Sequence, residues 1–152
     1  MADIEGYNMP DDLYYHVEDT WVKVEGDTVK IGMTDFFQQA AGDIVYVDLP
    51  FEGDEVQQGD AFGKAQSSKW IGKLVAPLSG TIEEVNYDLD SDSTIINKDP
   101  YGEGWVMTLT PSDLDGELAG LIHGTEALVA FIKHQIDKAE KLKAEGGGGE
   151  EE

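Results

Sequence analysis

Residues 61–76 read AFGKAQSSKWIGKLVA, and the fold turns on how this stretch is parsed. The runs Ala61 to Ser67 and Trp70 to Ala76 read as two short strands, and the polar segment between them reads as a turn with Lys69 near its tip. A lysine in that place cannot belong to a core and has no nearby carboxylate in sequence to pair with. It is either a solvated surface charge or a chemical attachment point. On spacing alone the solvated charge is the ordinary case, since exposed lysines are common.

Working outward, the same grammar repeats. Trp21 to Val24 alternates apolar and polar, residues 25–27 (EGD) supply turn chemistry, and Thr28 to Met33 alternates again, which predicts a hairpin. Thr34 is placed to cap a short helix over 35–41, with Asp35 in its first turn and Gly42 at its end. Residues 43–49 (DIVYVDL) return to period two, with Ile44, Tyr46 and Asp48 expected on one face and Val45, Val47 and Leu49 on the other. A very short strand is expected at Val56, another over 81–86 and another over 104–110, with residues 87–103 as turns and residues 1–12 as a loose arm. Many short strands around one small helix predict a compact all-β core. From residue 111 the period lengthens. A helical turn begins near Ser112, and Thr125 opens a longer helix through Lys143. Leu128, Phe131, Ile132, Ile136, Ala139 and Leu142 form its single apolar stripe. The chain is expected to be one domain over 1–145, followed by a flexible Gly/Glu tail at 146–152.

Composition narrows the chemistry. Thirty-two acidic residues against ten basic ones give a net charge of −22, and every basic residue is a lysine. Such a field opposes nucleic acid and anionic membranes, and the absence of arginine removes bidentate phosphate clamping. The acidity is spread along the chain, which fits a solvated surface better than one docking site. The chain has no cysteine, so disulfides, thiolate metal sites and a Cys nucleophile are excluded together. His16, His123 and His134 are too far apart to form a metal-ligand motif. No run reaches the roughly 18 apolar residues of a membrane span, and the acidic N-terminus lacks the form of a secretory signal. The expected location is the cytoplasm.

Several separated segments then carry a resemblance. Residues 12–15 (DLYY), Trp21-Val22, Thr34-Asp35-Phe36 with Gln38, Gly42 to Val45, residues 97–105 (NKDPYGEGW) and residues 110–113 (TPSD) resemble, in order, the H protein of the glycine cleavage system. The likeness covers about residues 11–132. It implies a barrel-sandwich hybrid fold, mainly β with small helices and a C-terminal helix. It also implies a non-catalytic carrier with lipoate bound covalently as an amide on Lys69, in a pattern that places Gln66, Ser67 and Ser68 beside the attachment point. The implied partners are a lipoate–protein ligase, the glycine cleavage enzymes and dihydrolipoamide dehydrogenase.

The departures from the family pattern cluster around the arm. Gln66 stands where the family has Glu, Thr20 replaces the carboxylate of a His-Glu-Trp motif, and Trp70 to Lys73 puts a lysine at a usually acidic position. Glycine cleavage loads a cationic aminomethyl group, and replacing a carboxylate with Lys73 turns attraction into repulsion. At about 4 Å and an effective dielectric near 20, one such unit pair is worth about 4 kcal/mol as an upper guide. A neutral or anionic cargo therefore fits these residues better. In this the chain is similar to the lipoate-binding proteins of the sulfur-oxidising heterodisulfide-reductase-like pathway, with Thr20, Trp70 and Lys73 shaping the arm's surroundings and a heterodisulfide-reductase-like complex as partner. Ordinary glycine cleavage with sequence drift is the alternative.

Two other classes compete. An enzyme would use Lys69 as a Schiff-base amine with Lys64 and Lys73 lowering its pKa, but an exposed turn offers no desolvation. An unmodified relative would act through protein interaction alone.

Overall fold

The alternation read in the sequence becomes two main antiparallel sheets, beside a small two-stranded one at the start of the chain. The computed structural model describes residues 3–4, 6–10, 12–16, 18–67 and 71–144, without side chains for residues 3, 4, 40, 41, 125 and 139–144. Ser68, Lys69, Trp70 and the tail 146–152 lie outside the described residues.

The chain begins with two short pairing strands, β1 (Asp3–Ile4) and β2 (Tyr7–Asn8), then β3 (Tyr14–Tyr15). The expected hairpin forms as β4 (Thr20–Glu25) and β5 (Thr28–Met33), paired from Glu25↔Thr28 to Thr20↔Met33. Helix α1 (Asp35–Ala41) starts where Thr34 accepts a hydrogen bond from the Phe37 amide at 3.1 Å and stops at Gly42, whose φ of 80° lies in the region that favours glycine. Next come β6 (Ile44–Asp48), β7 (Glu55–Val56), β8 (Ala61–Ser67), β9 (Ile71–Val75) and β10 (Gly80–Val85). Two single-turn helices, α2 (Asp88–Ser91) and α3 (Ile95–Lys98), occupy the segment expected to be turns. Strand β11 (Met107–Pro111), α4 (Leu114–Leu118) and α5 (Thr125–Ala144) complete the chain.

One sheet has the order β3-β4-β5-β11-β10-β7 and the other β6-β8-β9. Their inner faces share a core: Val22, Val29 and Ile31 from the first pack in one cluster with Ile44, Val47, Ala65 and Leu74 from the second. Trp21, on the opposite face of β4 from Val22, joins a second cluster with Met9, Tyr15, Phe36 and the α5 residues Leu128, Phe131 and Ile132. The stripe read in the sequence thus meets the outside of the larger sheet, for the residues whose side chains are described. Gly32 faces Trp21 across the strands, and a Cβ there would come within 2.6 Å of the indole.

Three expectations need correction. The N-terminal arm is not loose over its described residues: Met9 is fully buried, Tyr7 packs on Phe36 with the rings tilted, and Tyr15 donates to the Pro10 carbonyl at 2.6 Å. An acidic, proline-containing opening hides this anchoring because its apolar residues are sparse. The strand expected over 104–110 starts only at Met107, since Gly104 and Trp105 close the turns after α3 by donating to the Asp99 and Gly102 carbonyls. The faces of β6 also do not simply alternate. Its register against β8 shifts between Ile44 and Tyr46, so Val45 and Tyr46 together oppose Gln66. This bulge turns Ile44 and Val47 inward while Val45, Tyr46 and Asp48 all face out.

Candidate functional site

Strand β8 is the middle strand of the smaller sheet and ends at the three-residue connection 68–70 that holds Lys69. Its inner residues Ala65 and Ser67 are buried, whereas Lys64 and Gln66 are exposed. The last described outer row before the connection is Tyr46–Gln66–Ile71, and the next is Asp48–Lys64–Lys73. Both rows face solvent along their whole width. The outer face of the sheet next to the connection is therefore open over its last two described rows.

The strands behind the tip are held by a stretch far away in sequence. Asn97 accepts a hydrogen bond from the Ile44 amide (2.9 Å) and donates to the Gly42 carbonyl (2.8 Å) and to Gln38 (3.1 Å). Ile44 pairs with Ser67, so Asn97 fixes the base of the hairpin tip through one neighbouring strand. Other members of the 97–105 segment serve the same frame. The Pro100 carbonyl accepts from the Trp21 indole at 3.0 Å, and the Tyr101 hydroxyl accepts from the Asp35 amide (2.9 Å) while donating to the Asn8 carbonyl (2.7 Å). Burial pushes the Tyr101 phenol above its usual range. The motif that stands out most in the sequence is therefore a clamp.

The predicted site residues separate in space. Gln66 and Lys73 lie on the outer face of the smaller sheet, and Ser67 is buried beneath it. Thr20 is not on the surface at all. It is fully buried opposite Met33 in the larger sheet, and its hydroxyl has no hydrogen-bond partner among the described residues.

Asp19, next to it, was missed. It turns the chain between β3 and β4 with φ 72°, donates its amide to the His16 carbonyl (3.0 Å), and accepts from Gln135 of α5 at 2.8 Å. Burial raises its carboxyl to about 7, against the opposing pull of Gln135 and Lys138, while Glu18 pushes the same way. Burial also holds His16 below its ordinary value. A left-handed Asp in a tight turn is a weak sequence signal, and its burial depends on a helix over 100 residues away.

Among the described residues no cluster of His, Cys, Asp or Glu has the geometry to hold a metal, and no helix is long and apolar enough to cross a membrane. A mainly β frame of two sheets sharing one core, with a C-terminal helix closing the larger one, is the fold of a lipoyl-carrier module. The comparisons with known proteins agree. The glycine cleavage H-protein profile matches residues 13–135, so the chain belongs to the glycine cleavage H-protein family. It is 48% identical over 106 residues to the glycine cleavage system H protein of Halalkalibacterium halodurans, spanning 70% of this chain and 83% of that protein. Its identity to the H protein of an Anaeromyxobacter species (strain K) is 43% over 127 residues, covering 84% and 98%. The crystal structure of the H protein from Mycobacterium marinum superposes with a TM-score of 0.66 at 36% identity, over 68% of this chain and 87% of that one. Proteins of this family are non-catalytic and carry lipoate covalently on a lysine.

Proposed function

We propose that Lys69 is the lipoyl-bearing lysine and that this chain is the aminomethyl carrier of a glycine cleavage system, loaded by a lipoate–protein ligase and working in the cytoplasm. The observation that carries the reading is the family membership across residues 13–135, with named relatives that are all glycine cleavage H proteins. Lys69 occupies the connection between the paired strands β8 and β9, the place in this frame from which an amide-linked arm is free to leave. The lipoyl group supplies a dithiol at the end of a long tether. The protein holds the tether's root through Ser67, Ile44 and Asn97 and leaves the face beside it open.

A sulfur cargo, suggested by Thr20, Gln66, Trp70 and Lys73, is the second reading, and the geometry of the described residues weakens it. Thr20 is inside the core, and Trp70 lies outside the described residues. Gln66 and Lys73 are solvent-facing, where a unit pair at about 4 Å is worth about 1 kcal/mol in water rather than 4. An exposed Lys73 is too weak to exclude a cationic cargo.

Two measurements test this. Tandem mass spectrometry after incubation with ligase, lipoate and ATP is expected to find the amide on Lys69 and none in Lys69→Arg. The lipoylated protein, given glycine decarboxylase and labelled glycine, is expected to take up label. Lipoylation without uptake, together with acceptance of a persulfide, would replace the first reading with the second.

A further inference from the structure

The outer face of the β6–β8–β9 sheet has properties that holding a tether does not require. Val45, Tyr46 and Ile71 are 58%, 55% and 57% exposed, among the highest values for large apolar side chains in the described residues. The bulge brings the first two outward together, and the register sets Tyr46 and Ile71 on either side of Gln66 in the last row before the connection. Single exposed apolar side chains are ordinary, but three on one face of three adjacent strands, beside the connection, offer apolar contact to a partner.

The charge on this face is also anomalous. In a chain of net charge −22, Lys64 and Lys73 sit directly opposite each other on adjacent strands. Like charges so placed are destabilising. Neither lysine takes part in an ion pair or hydrogen bond among the described residues, although Asp48 occupies the same row. Two residues of strand, roughly 7 Å, separate this cationic row from the apolar one. Apolar contact next to unneutralised positive charge, on an otherwise acidic protein, is complementary to a partner that presents carboxylates around an apolar patch.

The location selects among partners. An enzyme that uses a finished arm can meet it at the arm's far end, a tether's length from the lysine. The enzyme that forms the amide must instead bring an activated lipoyl carbonyl to the lysine nitrogen. There the C–N bond forms as the bond to the activating group breaks, with the amine's proton lost to that leaving group or to solvent. A lysine reaches only the length of its four-carbon stem. The rows beside the connection must therefore enter the interface of the acylating enzyme.

We propose that the face formed by Val45, Tyr46, Ile71, Lys64 and Lys73 is the docking surface for the lipoate-attaching enzyme, which contacts it through an acidic rim around an apolar patch. The inference rests on Lys69 being the attachment point.

The test follows lipoylation of the full chain by lipoate–protein ligase with lipoate and ATP, using intact mass to obtain kcat/KM. Tyr46→Ser/Ile71→Ser is expected to lower kcat/KM at least tenfold with unchanged circular dichroism. Lys64→Glu is expected to lower it by a similar factor at about 0.05 M salt, and the deficit should shrink at about 0.5 M, beyond the range of surface electrostatics. Once driven to full lipoylation with excess ligase, Tyr46→Ser/Ile71→Ser should be loaded by glycine decarboxylase within twofold of wild type. Unchanged lipoylation rates would overturn the inference, as would equal losses in both assays. A wild-type dimer in solution that these substitutions dissolve would assign the face to self-association and overturn it too. Failure of the wild-type chain to be lipoylated at Lys69 would remove the functional reading along with it, an outcome distinct from all of these.

Discussion

The two sheets share one core but treat their outer faces in opposite ways. Outside the larger sheet, Trp21 is fully buried under α5 and the N-terminal residues, and its indole is tied to Pro100. Outside the smaller sheet, Tyr46 and Ile71 lie bare beside two facing lysines. One face is built to be closed by the chain itself, and the other is left for something else to meet. The contrast is sharp enough to break by mutation. Trp21→Ala is expected to cost about 3–5 kcal/mol, as large-to-small changes of buried aromatics do. Ile71→Ala should stay within about 0.5 kcal/mol, the range of surface changes. Calorimetric unfolding of both variants checks this, and similar losses would mean that the smaller sheet's outer face is also structural.

The clamp joining the two regions comes next in size. Asn97→Ala removes the acceptor of the Ile44 amide and the donor to the Gly42 carbonyl, stranding partly buried backbone groups. Such losses cost about 1–3 kcal/mol. The readout that isolates the clamp is hydrogen exchange. The Ile44 amide should lose protection far more than amides of β4 and β5, because Asn97 acts on the smaller sheet. A uniform loss would mean that Asn97 supports the whole core instead.

How much of this was legible beforehand differs between the two regions. The strands β4, β5, β8 and β9, the α1 caps and the α5 stripe all follow local rules of period, turn and cap, and residues 20–42 and 61–76 display those rules openly. The family was legible too, because motifs separated along the chain kept their order. What stayed hidden was non-local. The bulge at Val45 depends on how β6 registers against β8, and no pattern in residues 43–49 records it. The burial of Thr20 depends on how the sheet packs, and the surroundings of Asp19 depend on α5, which supplies Gln135. Reading Thr20 as a lost carboxylate followed from the family motif, which carries no information on how deeply the position is buried.

Asp19 offers a third, smaller break, on the closed side. Its carboxyl is raised to about 7 by burial, so the folded state holds a proton that the unfolded chain releases near its ordinary value. The sign follows: the native state binds more protons between about 4 and 7, so stability from this group is full at the acid end and is lost as pH rises toward 7. His16, held low by burial, acts oppositely on the acid side of its own ordinary value. Asp19→Asn keeps an oxygen for Gln135 and tolerates the left-handed backbone. It should therefore match wild type near pH 4 and exceed it by about 1–2 kcal/mol near pH 8. Denaturant midpoints at the two pH values measure this, and a pH-independent difference would mean that turn geometry rather than charge governs the site.

The smallest effect belongs to the open face and carries the sharpest contrast. Lys73→Glu turns a facing pair of like charges into one of opposite charges, Lys64 against Glu. Cross-strand pairs of this kind shift stability by about 0.2–1 kcal/mol, so the variant should unfold slightly later than wild type. If the face existed only to be solvated, a change that stabilises the protein would be harmless, and lipoylation would proceed at the wild-type rate. If the lysine pair is retained for a partner's carboxylates, the same change slows lipoylation at low salt while the melting temperature rises. Gain of stability with loss of rate, measured on one sample, separates a surface kept for contact from one kept for solubility. On the closed face no substitution should show that opposition, because there stability and the position of the hairpin depend on the same contacts.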